Sequence, residues 1–260
     1  MNIDIEYELK QLEKKKISLE KEKNIIDNKY NTLKRLLELY RNNNLPIDVS
    51  NVSIGDEVII PHDIYGDIPF IIIGINHDTN NSVTLLSKNI VRCLAFSTIA
   101  FNNRYKYSNI LHWMNSDKRG GLLKGFSSDI INQMIEVPKR TSVYTGRYED
   151  ISSKIFLLSR TEVGLGNEND IEEGNTYDYF SQNNTDERRI TYHSKYAVNN
   201  SVYNGSSFNT TNEWHWWLRT PDCSCASSAC IVNSSGALDY YYADIGNIGV
   251  RFALVLKTTM

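Results

Sequence analysis

Long apolar runs are missing from this chain of 260 residues. No stretch approaches the roughly 18 apolar residues of a membrane-spanning helix, so membrane insertion is not expected. A dominant charge is missing too: 28 Lys and Arg stand against 31 Asp and Glu, for a net charge of −3. No basic field exists to draw in a nucleic-acid backbone, and nucleic acid is not an expected partner. The first residues, MNIDIEYELKQ, are acidic and polar, without the apolar stretch of a signal peptide, so a cytosolic product is expected. Cysteine is scarce: Cys93, Cys223, Cys225 and Cys230 are all there is. Three of them fall as C-x-C-x4-C, whereas zinc sites use C-x2-C pairs or matched histidines. His215 is the only neighbouring candidate for a fourth ligand. The expectation is free thiols in a polar loop, no metal, no other cofactor and, in a cytosolic product, no disulfide.

Catalytic signatures are missing as well. There is no G-x-S-x-G, no H-E-x-x-H and no P-loop, and His62, His77, His112, His193 and His215 are scattered along the chain. The chain does not read as an enzyme. What is present is ordinary globular composition, 41% hydrophobic and 23% charged, enough for one large domain and an appendage. No internal repeat is visible.

The appendage comes first. Ile5, Leu12, Leu19, Ile26, Leu33 and Tyr40 recur every seven residues, and Leu9, Lys16, Lys23, Tyr30 and Leu37 fall four residues after them. The first set takes d positions and the second takes a, the seam of a coiled coil. Lys16 and Lys23 at a positions cost stability and favour a defined register or oligomer. The alternative is a long surface helix packed on its own domain, but a helix this charged would have little core to bury against, so self-association is expected, as a parallel trimer before a dimer. Asn42, Asn43 and Asn44 end the helix, and Pro46 prevents its continuation. Residues 1–44 thus form an oligomerisation stem, 45–53 a linker, and 54–260 a globular domain.

Within that domain, residues 52–60 predict a strand with a turn at Gly55-Asp56. Residues 70–75 are a wholly apolar strand, and 82–87 its partner beyond Asn80-Asn81. Residues 108–115 have helical spacing, with Ser108 as N-cap and Ile110, Leu111 and Met114 inward. Ser127 or Ser128 caps a second helix over 129–135, and 155–158 is a short buried strand. A long polar segment then runs to Phe208 with little periodicity; loops of that length are functional or insertion-like. Short strands, two helices and further strands make the fold class α+β.

The most informative stretch is 214–256. WHWWLRTPD is followed by a short polar run and then by ACIVNSSGALDYYYADIGNIGVRFALVL. A hairpin turn is expected around Ser234-Ser235-Gly236, and an apolar strand over 250–256. Trp216, Trp217, Leu218 and Arg219 fit a scaffold, with Arg219 and Arg251 bonding loop carbonyls or carboxylates. Trp214 or Trp216 could instead offer an aromatic platform to a sugar.

NRYKYSNILHWMN, KIFLLSRTEVG, WWLRTP and GVRFALVL together resemble a domain of unknown function common in low-GC bacteria and their phages. Its marks are a Y-x-x-S-x-I-x-x-W-L-N helix, an F-L-L-S strand, W-W-L-R-S-P and a terminal G-V-R-P-A-L. The resemblance covers residues 54–256, with Thr220 in place of the usual Ser and Phe252 in place of the usual Pro. It implies a C-type-lectin-like fold, related to that of formylglycine-generating enzymes and shared by variable phage ligand-binding proteins. The thiol and metal chemistry of those enzymes is not implied, because the cysteines here sit in another context. Calcium-dependent sugar binding is not implied either: Thr220-Pro221-Asp222 matches the ligand tripeptide only in part, and no W-N-D follows.

The contact residues are expected between the fixed apolar ends. Asp222, Ser224, Asn233, Asp239, Tyr240, Tyr241, Tyr242, Asp244 and Asn247 combine rigid aromatic area with adaptable hydrogen bonding, the palette of antibody paratopes. At least one of three consecutive tyrosines in a strand points outward unless a loop covers it, although tyrosine is also a plain strand former. The expected function is that of a phage or phage-like tail component, located in the virion after assembly in the host cytoplasm. Its head binds a bacterial surface glycan or protein, and its stem meets other tail or baseplate proteins. The alternative is a cytoplasmic bacterial binding module dimerised by its helix. The seam makes a direct prediction. Light scattering at micromolar concentration should find the full chain as an oligomer and a chain starting at Pro46 as a monomer; two monomers would dismiss the stem.

Overall fold

The computed structural model describes residues 2–41, 47–48, 52–99, 101–143, 146–168, 170–182, 186–203 and 205–259. The chain divides into two units, Met1–Leu45 and Pro46–Met260. The first holds one helix, α1 (Asn2–Arg41). Leu9, Leu12, Leu19, Ile26 and Tyr30, all on the heptad seam, are exposed along it. The side chains of Ile5, Leu33, Leu37 and Tyr40 lie outside the described residues, as do the structures of the helix-ending asparagines and of Pro46. No described helix is long and apolar enough to cross a membrane.

The second unit is mixed α/β and mostly sheet. It begins with β1 (Ile47–Asp48), β2 (Glu57–His62), β3 (Gly66–Ile75), β4 (Ser82–Ser87) and β5 (Arg92–Cys93). Two short helices follow, α2 (Asn109–Met114) and α3 (Ser128–Gln133). Next come β6 (Met134–Ile135), β7 (Val137–Val143), β8 (Arg147–Ser153) and β9 (Ile155–Phe156). The long polar segment contributes α4 (Asp178–Ser181) and α5 (Lys195–Asn199), and the unit closes with β10 (Trp216–Pro221), β11 (Ser228–Val232), β12 (Leu238–Tyr242), β13 (Gly249–Val250) and β14 (Ala253–Thr259).

The local signals act as their chemistry requires. The Ser108 and Ser127 hydroxyls accept from the amides of Leu111 and Ile130, capping α2 and α3. Ile110, Leu111 and Met114 are buried. Asn233 Oδ1 accepts from Ser235 and Ala237, closing the β11–β12 hairpin. Gly236 in that turn has φ +86°, and a Cβ there would lie 2.1 Å from the Asp186 carbonyl oxygen. Only glycine meets both conditions.

One sheet runs β1-β14-β4-β3-β2, with β6 and β9 also on β14; the other runs β12-β11-β10-β13-β5, and β7–β8 is a separate hairpin. The expected closing strand over 250–256 is split. Gly249 and Val250 belong to the second sheet, Arg251 and Phe252 turn the chain, and β14 starts at Ala253 in the first. GVRFALVL therefore stitches the sheets together. β10 adds a second stitch: its register with β11 shifts between Trp217 and Pro221, and the freed Arg219 amide donates to Leu158 O at 2.9 Å.

The core lies between the sheets. Ile71, Ile73 and Leu86 from the first meet Trp216, Leu218 and Val232 from the second. Trp216 and Trp217 are fully buried, and their indole N–H groups donate to Arg189 O and Leu94 O. Trp216 is thus a core residue, and the platform suggested for it does not exist: both ring faces are covered. Phe252 is buried edge-on to Phe70, and its amide donates to Ser87 Oγ, a bond the usual proline could not make. Arg251 donates to Ser87 O and lies 5.2 Å from the Trp216 ring; burial brings its guanidinium down to about 10, still charged at neutral pH.

The polar segment is no insertion. It supplies buried Glu162, Glu173, Tyr177, Phe180 and Phe208 to the same core. Glu162 Oε2 accepts from Arg219 at 2.5 Å and its Oε1 from Lys139 at 2.9 Å. Arg219 also donates to the carbonyls of Leu157 and Glu173, as its side-chain chemistry led us to expect. Lys139 further donates to Asp78 at 2.5 Å and Tyr177 at 2.7 Å. Gly74 lets the Tyr177 ring lie on β3; a Cβ there would come within 2.9 Å of it. Burial pushes the Glu162 carboxyl up, but Arg219 and then Lys139 outweigh it and hold it down at about 2. Burial raises Glu173, which accepts from Thr220 and Ser142. Removing one partner of a buried pair strands the other charge, at about 3–5 kcal/mol. Glu162→Gln should therefore lower the unfolding free energy in urea by that amount; a loss under about 1 kcal/mol would mean that Arg219 and Lys139 find other partners.

Candidate functional site

β12 is the outer strand of the second sheet, paired only through β11, with Tyr240 opposite Cys230 and Tyr242 opposite Ser228. Alternation puts Tyr240 and Tyr242 on one face and Asp239 and Tyr241 on the other. All three tyrosines are exposed, Tyr242 most, at 61%. Tyr240 is braced from below: its hydroxyl donates to Glu168 at 3.1 Å and accepts from Arg160 at 3.2 Å, and Arg160 pairs with Glu168. Burial, with Cys230 and Glu168 close by, pushes its phenol up to about 12, so it remains a neutral donor.

On the opposite face, the Tyr241 ring lies parallel to His215 at 6.1 Å. His215 packs on Trp214, and Trp214 packs on His193 and Phe208. Trp214 itself donates to Asn247 O at 2.9 Å. Tyr241 is thus the outer member of a row of rings that leads into the domain.

The other expected contact residues divide. Ser224, Asp239 and Asp244 are exposed. Asp222 is not available for contact: it is buried, and its Oδ1 holds the Ser224 amide at 2.8 Å and hydroxyl at 2.6 Å. An acidic residue two places before a serine in a tight turn serves its own backbone first. Asn233 spends its carbonyl oxygen on the hairpin turn, and Asn247 is half-buried beneath Trp214. Sequence reasoning missed Asn103. Its buried amide donates to the carbonyls of Asp222, Cys225 and Ser228 and pins the loop before β11. Nothing near Asn103 in the chain announces a partner more than a hundred residues away.

The cysteines do not converge. Cys230 is buried, burial pushes Cys223 up to about 11, and Cys225 is lowered by the Ser227 and Ser228 hydroxyls. Among the described residues no group of three or more His, Cys, Asp or Glu could hold a metal ion. Cys93 and His193 approach to 3.6 Å, but burial pushes the thiol up to about 12 and the imidazole down to about 4. A neutral thiol beside a neutral imidazole is a packing pair, since an activated nucleophile needs those shifts reversed.

Residues 80–258 match the model of a family described as a domain of unknown function (DUF6273), and the chain belongs to that family. No curated protein and no solved structure matches it.

Three histidines carry a further consequence. His62 Nε2–H donates to Leu122 O, so its Nδ1 is free to accept from the amides of Ile64 and Tyr65. Burial lowers His62, His193 and His215 below the ordinary value of 6.5. Groups with a depressed folded value bind protons more readily when unfolded, so stability is complete above about pH 6.5 and falls as pH drops toward 4. Glu173, raised by burial, opposes this with a single carboxyl. The melting temperature should decline steadily from pH 6.5 to 4; a flat profile would show these rings charged in the fold.

Proposed function

We propose that the globular unit is a non-enzymatic receptor-binding head with a C-type-lectin-like fold, in a phage or phage-like tail protein. The heptad helix is its coiled-coil stem, most readily a trimer. The observation that carries this reading is the run of exposed tyrosines on a free sheet edge, mounted on a frame of buried tryptophan and arginine. Rigid rings on a fixed scaffold give contact area at low entropic cost. Stem-driven multimers raise avidity with no new contact per head.

Truncating a central aromatic anchor costs about 2 kcal/mol, roughly thirtyfold in affinity. Tyr241→Ala and Tyr242→Ala should each weaken binding of the full chain to bacterial cells by that factor and leave the melting temperature unchanged. Leu254, buried between Leu85 and Ile155, is the opposite control: Leu254→Ala should cost about 2–5 kcal/mol of stability. Tyrosine variants that unfold the head, or that bind as the natural chain does, would defeat the proposal. Presence of the protein in purified phage particles separates the tail reading from that of a cytoplasmic module.

A further inference from the structure

A groove of about 460 Å³ opens between the Phe101–Arg104 segment, the first residues of β8 and Ala226, in the range of ligand sites. It is distinct from the tyrosine strand and does not rest on the tail reading. Three features converge on it. Glu149 uses one carboxylate oxygen on Arg104 at 2.7 Å, while the other, Oε1, is buried and meets no hydrogen-bond donor among the described residues. A buried acceptor without a donor is costly, so a donor is expected from outside. Arg147, exposed at the start of β8, has no side-chain hydrogen bond or ion pair among the described residues. Phe101 is 80% exposed and sits at φ +54°, a backbone region that disfavours a side chain of its size. Both its exposure and its strain are unfavourable in the free protein.

The walls are held firmly. Asn103 pins its segment to the loop that carries Ala226. Arg140 lies 4.1 Å over the ring of Tyr148, which is 55% exposed on the groove. A ligand that meets every demand needs an O–H or N–H group to donate to Glu149, an anionic group for Arg147 and an apolar C–H face for Phe101. The geometry points to an acidic saccharide, a sugar ring bearing a carboxylate or phosphate, as the ligand of this groove. A sugar ring carries its hydroxyls beside a C–H face on one rigid frame, whereas a peptide spreads its donors along a flexible chain that costs entropy to order, and neutral sugars leave Arg147 unanswered.

Labelled full-chain protein applied to an array of uronic, sialic, phosphorylated and neutral saccharides tests this, and the acidic arms separate carboxylate from phosphate. Binding should favour acidic members roughly tenfold or more over their neutral counterparts. Arg147→Ala should abolish that preference, whereas Lys195→Ala, an exposed cation elsewhere, should preserve it. Phe101→Ala and Glu149→Gln should weaken binding roughly tenfold at unchanged melting temperature. Glutamine keeps an oxygen for Arg104 but replaces the charged acceptor with an N–H₂, so the ligand hydroxyl must turn and accept a weaker, neutral bond. The proposal is overturned if no acidic saccharide binds, or if binding survives Phe101→Ala and Glu149→Gln intact. Loss of cell binding on Tyr241→Ala with array binding retained would leave both sites standing; failure of either readout alone identifies which site is wrong.

Discussion

Arg219 is a guanidinium with no access to water, and the rest of the globular unit is arranged around that fact. Its charge needs a carboxylate, and the chain supplies Glu162 from a segment with no periodic pattern. Glu162 in turn takes Lys139 from β7, and Lys139 takes Asp78 and Tyr177. Two sheets, a hairpin and a long connection are thereby tied through one set of side chains. Desolvating so many charges leaves little net stabilisation, but any other placement of residues 159–177 would strand a buried charge. The network therefore selects an arrangement more than it strengthens one.

That rigidity reaches the surface at two places. Glu168, a little further along the same polar segment than Glu162, braces Tyr240 on the sheet edge. Asn103 gathers three carbonyls of the loop before β11 and fixes one wall of the groove. Each exposed surface is thus carried by a buried polar residue from a distant part of the chain. An exposed edge strand is ordinarily an aggregation hazard; β12 blunts it with the charge of Asp239 and with tyrosines in place of aliphatic residues.

Features whose cause is local were legible in advance. The serine caps of α2 and α3, the hairpin at 233–237, the β3–β4 pairing and the inward tryptophans all follow from a few neighbouring residues. The exposure of Tyr240, Tyr241 and Tyr242 was half legible, since alternation puts one or two of three outward and position at the sheet edge exposes the third. Asp222 was misread because polar character in a loop resembles a contact residue until its own turn is seen to use it. The polar segment left two readings open, functional or insertion-like; its burial comes largely from ion pairing, which leaves no hydrophobic period to detect.

Periodicity, caps and turn chemistry in the chain alone determined the N-terminal helix and the short strands and helices of the globular unit, because each depends on contacts within about a turn or a hairpin. Tertiary structure alone decided which carboxylate meets Arg219, which strand lies at the edge, how GVRFALVL crosses between sheets, and that Phe101, Arg147 and Glu149 share a groove. Those outcomes depend on pairings between residues from about fifty to more than a hundred positions apart, and no local pattern encodes them.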